Sequence, residues 1–215
     1  MTNLRFAIYL LGSLIVAMDA REFARAYAAA RLGDPTPRLW GRLTLRPRTW
    51  FDPFGSGLLP GLILVLWAAG ASFRPPPVAY AKPAPVDPSY LRNRTRDVVV
   101  ISLAGPAANL VLAAVAGLLL RAGLTGEIGL VAVAFMYTNL SQLVFHLMPI
   151  PGLDGARIVA LLLPPRAAQV YRNADQYLAL IVLVVLFVFA GPLISIVGSL
   201  TDALCGLLAG LGCSA

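Results

Sequence analysis

The sequence predicts an all-α polytopic membrane protein, a transmembrane helix bundle carrying one small membrane-associated β-hairpin. Of the 215 residues, 59% are hydrophobic and only 13% charged, with a mean hydropathy of +0.78, well outside the range of soluble domains. Apolar runs close to the length that a bilayer demands recur along the chain, and the polar interruptions between them are short. Crossing about 30 Å of hydrocarbon takes roughly 20 apolar residues as a helix. Residues 1–215 therefore read as a single integral membrane domain.

The first helix is expected from Leu4 to Arg31, ending at the stop signal Gly33-Asp34-Pro35. Only Arg5 precedes the apolar run Phe6 to Ala17, and no small-residue cleavage site follows it, so the run reads as a retained helix rather than a signal peptide. Leu39 to Leu45 alternates between prolines and predicts the hairpin. Phe54 to Ala71 is a second run, just long enough to cross. From Arg74 to Pro88 prolines exclude helix and inner strand. The apolar residues of that stretch, among them Val78, Tyr80 and Val86, predict a loop docked against the bundle, since irregular backbone at membrane depth needs protein or a wet cavity beside it.

Val98 to Leu120 and Ile128 to Leu147 are the third and fourth spans, and Leu178 to Val197 is the last clear one. Asp154 to Leu163 is too short to cross, and Leu200 to Leu211 reads as a weak amphipathic or re-entrant helix. Four full spans and one or two partial ones are expected. Loops 31–53 and 72–97 each sum to +3 although alternation puts them on opposite sides, so the positive-inside rule leaves the orientation open.

The net charge of +7 comes from 16 arginines and one lysine scattered between apolar runs. Lipid headgroups are the partners this implies. Nucleic acid is excluded, because no polar segment is long enough to form a basic, aromatic-interleaved stripe. Cys205 and Cys213 have no C-x-x-C spacing and read as packing thiols. Asn93-Arg94-Thr95 matches a glycosylation acceptor pattern and reads as a chance match in an Arg-rich, bacterial-looking composition.

Ionisable residues inside spans are costly and mark function by default. Asp19, Arg21, Glu22 and Arg25 lie on the first helix, and Asp154 follows the proline bend after the fourth span. Arg21 and Arg25, spaced i, i+4, share a helix face with Glu22 beside it. Snorkelling of the arginines to headgroups is the bland alternative.

Arg21-Glu22-Phe23-Ala24-Arg25 is followed in order by Gly33-Asp34-Pro35-Thr36, GRLTLRP (41–47), DPFG (52–55), AKPAPV (81–86), GPAAN (105–109) and MPIPGLDG (148–155). This series resembles the compact bacterial branch of the site-2 protease family, with a family-like core over about 4–163 and an additional transmembrane helix and tail over 174–215. The resemblance implies an intramembrane zinc metalloprotease fold in a bacterial cytoplasmic membrane. In that family an H-E-x-x-H helix and a distant aspartate hold Zn²⁺, and the intervening glutamate is the general base. Carried over, Glu22 is the catalytic base position, Asp154 the third metal ligand, and Asn109 lines the site.

This chain departs from the motif at the ligands, where it has Arg21 and Arg25. Guanidinium stays protonated and offers no lone pair, so neither can bind zinc, and no cofactor is expected; Asp154 is the one ligand left if any metal binds. His146, the single histidine, stands where the family usually has asparagine. Two arginines bring the charge that zinc would bring, and can clasp Glu22 and Asp154; the alternative is that Asp154 merely caps the helix beginning after Leu153. The leading expectation is a pseudoprotease that binds a transmembrane or membrane-proximal protein partner. The alternatives are an active enzyme with a rearranged site around His146, Glu22 and Asp154, an inactivated variant of one, or a transporter or channel subunit, against which the lack of internal repeats speaks.

Overall fold

The computed structural model describes residues 2–70, 75–188, 190–210 and 213. Ala71, Arg74 and Leu211, which bound three of the stretches read from the sequence, lie outside the described residues.

Helix α1 runs Thr2–Arg31, about 45 Å at 1.5 Å per residue. It carries apolar residues in its first half and the charged face in its second. After a short loop come two single turns, α2 (Thr36–Leu39) and α3 (Pro47–Trp50), each with proline near its start. A π-helical turn, Pro53–Leu58, leads into α4 (Leu59–Ala68). Asp52 caps that turn, accepting from Phe54 N (3.1 Å) and Gly55 N (2.7 Å). Helices α5 (Arg94–Arg121) and α6 (Gly126–Leu147) pack against each other and against α1, forming the centre of the bundle. Then follow α7 (Asp154–Leu162), α8 (Pro165–Asn173), α9 (Leu178–Val188) and α10 (Ala190–Ala209).

Among the described residues three helices are long and apolar enough to cross a membrane: 94–121, 126–147 and 191–209. Their outward faces carry Val111, Val115 and Leu118 on α5, Ile128 on α6 and Leu207 on α10, all exposed. A surface this apolar suits lipid rather than water. The interior is apolar too: Leu59, Ile63, Phe145, Leu153, Val182 and Val197 are buried in one cluster, with Val78 and Tyr80 of the proline-dense loop.

The structure corrects four expectations. No strand occurs among the described residues, so the β-hairpin over 39–45 is absent. That segment is a turn instead, with Gly41 at φ +63°, and side chains hold it: Trp50 Nε1 donates to Thr44 O at 2.9 Å, while the Arg42 guanidinium lies over the Trp50 ring and donates to Thr49 O. The second apolar run gives helical backbone only over Pro53–Ala68, shorter than a span. The last run divides differently: helix continues through the residues read as a weak tail, because Val197, Thr201 and Cys205 are all buried on one face of α10. Cys205 and Cys213 are not free thiols but a disulfide; the chain reverses at Gly210 (φ +76°), bringing their Cα atoms to 5.9 Å.

The proline-dense loop docks as expected. Pro75 to Ala81 are buried, and its backbone is satisfied by other elements: Tyr80 N donates to Gly55 O (3.3 Å), Lys82 N to Trp50 O (2.8 Å), and Trp67 Nε1 donates to Pro75 O (2.8 Å). Asp34, fully buried, latches the end of α1 to this loop by accepting from Thr36 N (2.9 Å) and Asp87 N (2.8 Å). Asn93 is the N-cap of α5: its Oδ1 accepts from Arg96 N, and Asp97 in the first turn accepts from Asn93 N in return, which gives the asparagine a structural task.

Candidate functional site

The charged face of α1 points into the bundle. Arg21, Glu22 and Arg25 are 3%, 1% and 2% exposed, which rules out snorkelling of either arginine to a headgroup layer. Gly105 on α5 lets the arginine stems pass: a Cβ there would lie 2.8 Å from Arg21 Cγ and 3.2 Å from Arg25 Cδ. The glycine of GPAAN is thus a spacing residue for the arginine face.

Asp154 reaches the same place from the other half of the chain. After α6 the backbone turns through Met148–Leu153, with Gly152 at φ +91° and its N–H donating to Asp175 Oδ1 at 2.8 Å. Gly155 packs directly against the carbonyls that end α6, where no side chain fits. Asp154 is the first residue of α7, 1% exposed, and its carboxylate turns to α1 rather than capping its own helix.

Two guanidiniums and two carboxylates then form one closed set. Arg21 donates from Nη1 to Glu22 Oε1 and from Nη2 to Asp154 Oδ2, the latter at 2.5 Å. Arg25 Nη1 donates to Glu22 Oε2 at 3.0 Å, and its Nε stands 3.2 Å from Asp154 Oδ1 as an ion pair. Ala84 N of the docked loop donates to Glu22 Oε2 at 2.8 Å. The formal charges cancel, as burial requires. Burial pushes the Asp154 carboxyl up, and the guanidiniums of Arg21 and Arg25 outweigh this, holding it below the usual carboxylate range.

His146 is buried on α6, and its Nε2 bonds Ala79 O at 3.0 Å. Since a carbonyl only accepts, Nε2 carries the proton, and the histidine fastens the loop rather than joining the carboxylates. Asn109 lies one turn beyond Gly105 on α5, fully buried, with no hydrogen-bond partner for its amide among the described residues. The structure therefore brings Arg21, Glu22, Arg25 and Asp154 together and leaves Asn109 and His146 outside the ion cluster.

These residues do not fit zinc. The metal takes imidazole nitrogen, thiolate or carboxylate, and two of the four groups here are guanidiniums with no lone pair. Both oxygens of Asp154 and both of Glu22 face guanidinium nitrogens. Among the described residues no group of three or more His, Cys, Asp or Glu could hold a metal ion. Two contributors escape sequence reading. The Ala84 N–H is a backbone group and leaves no mark beyond its place in AKPAPV; Arg157 lies one turn after Asp154, within electrostatic reach of the cluster.

No protein-family model and no solved structure matches the chain. Curated relatives do. The Bacillus subtilis protein named "Putative zinc metalloprotease YwhC" is 35% identical over 192 residues, covering 84% of this chain and 80% of that protein. Proteins named "Putative zinc metalloprotease Rip2" are 33% identical over 190 residues in Mycolicibacterium smegmatis and 36% over 186 in Mycobacterium tuberculosis. These alignments cover 83% and 84% of this chain, and 66% of each relative.

Proposed function

The chain belongs to the site-2 protease family, and from this premise we propose that it is a pseudoprotease: it keeps the fold of an intramembrane zinc metalloprotease, has lost hydrolysis, and binds a transmembrane or membrane-proximal protein partner in a bacterial cytoplasmic membrane. One observation carries the reading. Arg21 and Arg25 stand at the two histidine positions of the H-E-x-x-H helix and form ion pairs with both carboxylates that catalysis requires, Glu22 and Asp154.

The chemistry follows from the donors. A metalloprotease needs an open metal position for water and a carboxylate free to take its proton. Here the positive charge comes from fixed guanidiniums, which neither activate water by coordination nor exchange. Glu22 already accepts from Arg21, Arg25 and Ala84 N, so a water proton would compete with three buried donors for its lone pairs. The arginines take over the electrostatic role of a divalent ion, tying α1 to the α6–α7 bend without catalysis.

Support for retained binding comes from a recess of about 200 Å³ beside the docked loop, bounded by Ile15 and Met18 of α1, Trp50, Phe51 and Ala81. Its mostly apolar wall suits a protein segment entering from the membrane. The test is a photo-crosslinker at position 51 in intact membranes combined with a cleavage assay in proteoliposomes. A discrete protein adduct without cleavage of transmembrane substrates supports the reading; substrate turnover abolished by Glu22→Gln refutes it.

A further inference from the structure

A second recess, with a charged lining, lies against α7 beside the ion cluster. It is a cavity of about 460 Å³ between the first turns of α5, the α7 residues Arg157, Ala160 and Leu161, and the end of α8. Three guanidiniums line it: Arg94, Arg157 and Arg172. None has an ion-pair partner among the described residues. Arg94 Nε donates weakly to Pro88 O (3.5 Å), Arg172 donates to the neutral Gln169 Oε1 (3.1 Å), and Arg157 has no hydrogen bond among the described residues, its Nε buried without an acceptor there.

The reason lies in the neighbouring cluster. Asp154 is the carboxylate nearest to Arg157 in sequence, and both its oxygens are taken by Arg21 and Arg25. Arg157 is left over, a half-buried cation beside a neutral set that contains a like charge. Arg25 first, then burial, pull its guanidinium down to about 10, so the site disfavours the charge that it holds. The two acids of the recess relieve it only in part: Asp175 attracts Arg157 through space but makes no ion pair with it and accepts from Gly152 N, and Asp87 accepts from Ser89 N (2.9 Å). Three arginines against two acids leave the lining at +1.

The remaining wall is apolar, formed by Val98 and Ile101 of α5 and Leu161 of α7, with Ser102 Oγ buried there and unpartnered. Arg94 opens α5, so the recess sits where a membrane-crossing helix ends and headgroups begin. An acceptor-rich anion with an apolar continuation fits both halves. Guanidinium forks match phosphate oxygens bidentately, the serine can donate to an ester oxygen, and the apolar wall can take glycerol and the upper acyl chain.

We propose that the recess between α5, α7 and α8 binds a phosphate group, that of an anionic phospholipid, held by Arg157 and Arg172 with Arg94 at the rim. This site is independent of whether the neighbouring cluster is catalytic. The test is lipid retention by native mass spectrometry of the full chain in detergent, with phosphatidylglycerol and phosphatidylcholine as probes. The expected result is a preference of about tenfold or more for phosphatidylglycerol, lost in Arg157→Gln and in Arg172→Gln and kept in the exposed control Arg46→Gln. Arg172 is exposed, so Arg172→Gln keeps the test decisive even where Arg157→Gln fails to fold. Unchanged preference in a folded Arg172→Gln or Arg157→Gln overturns the site. So does lipid binding without preference, with millimolar inorganic phosphate alone stabilising the protein, which would make this a free-anion site. Displacement of phosphatidylglycerol by an acidic peptide but not by soluble glycerol phosphate would assign the recess to a protein carboxylate, and likewise overturn it.

Discussion

Arg21 joins Glu22, its neighbour in sequence, to Asp154, 133 residues away, through two different nitrogens of one guanidinium. Arg25 repeats the connection from one turn further along α1. The charged face of α1 and the bend between α6 and α7 are thus held to each other by two guanidiniums.

Removing one member should cost more than removing a matched pair. A buried charge that loses its partner costs about 3–5 kcal/mol, whereas a pair replaced together is often near neutral. In double-mutant cycles of Arg21→Met and of Arg25→Met against Asp154→Asn, followed by thermal or denaturant unfolding in detergent, coupling should reach roughly 1 kcal/mol or more in at least one cycle. Strict additivity in both would show that the pairs contribute nothing beyond their separate environments.

Acid should loosen the same contact. The folded Asp154 carboxyl is held below its ordinary value by Arg21 and Arg25 against the opposing effect of burial. A depressed pKa contributes stability that is fully present above the unfolded value, about 3.9, and fades as pH falls below it toward the folded value. Melting midpoints should therefore stay level from neutral pH down to about that value and then fall, with a shallower fall in Asp154→Asn. Equal slopes in both proteins would assign acid loss to other groups.

Restoring Arg21→His and Arg25→His together should create a zinc site, because Glu22 and Asp154 already stand beside those positions. The double variant should take up about one zinc per chain, and Asp154→Ala in that background should abolish uptake. A folded double variant without zinc affinity would mean that Asp154 cannot approach the two positions as a ligand.

The docked loop should behave as core. Amides of Tyr80, Lys82 and Ala84 donate to Gly55 O, Trp50 O and Glu22, so they should exchange far more slowly than the exposed turn at 40–41. Glu22→Gln should leave the first two protected and speed exchange at Ala84. Uniform fast exchange across 78–86 would contradict the docking.

The sequence was most legible where composition decides structure. The spans read as 98–120 and 128–147 lie inside α5 and α6, because long apolar runs have no other soluble or membrane solution. It misled where tertiary contacts decide. Leu39 to Leu45 alternates like a strand, yet Arg42 and Trp50 tie it into a turn with no ladder partner. Leu200 to Leu211 reads as a weak amphipathic or re-entrant helix, yet Thr201 is buried and α10 runs on through Ala209. At the site, motif order placed Arg21, Glu22, Arg25 and Asp154 together. The Ala84 backbone donor and the unpaired Arg157 were not legible, since one has no side-chain signature and the other acquires its meaning only from what Asp154 already holds.

The metal content of the purified chain tests the central claim most directly. The arginine cluster predicts no stoichiometric zinc by elemental analysis after purification in zinc-supplemented buffer, with no change on chelation. About one zinc per chain, removed by chelator and lost in Asp154→Ala, would contradict it and return the chain to the active members of its family.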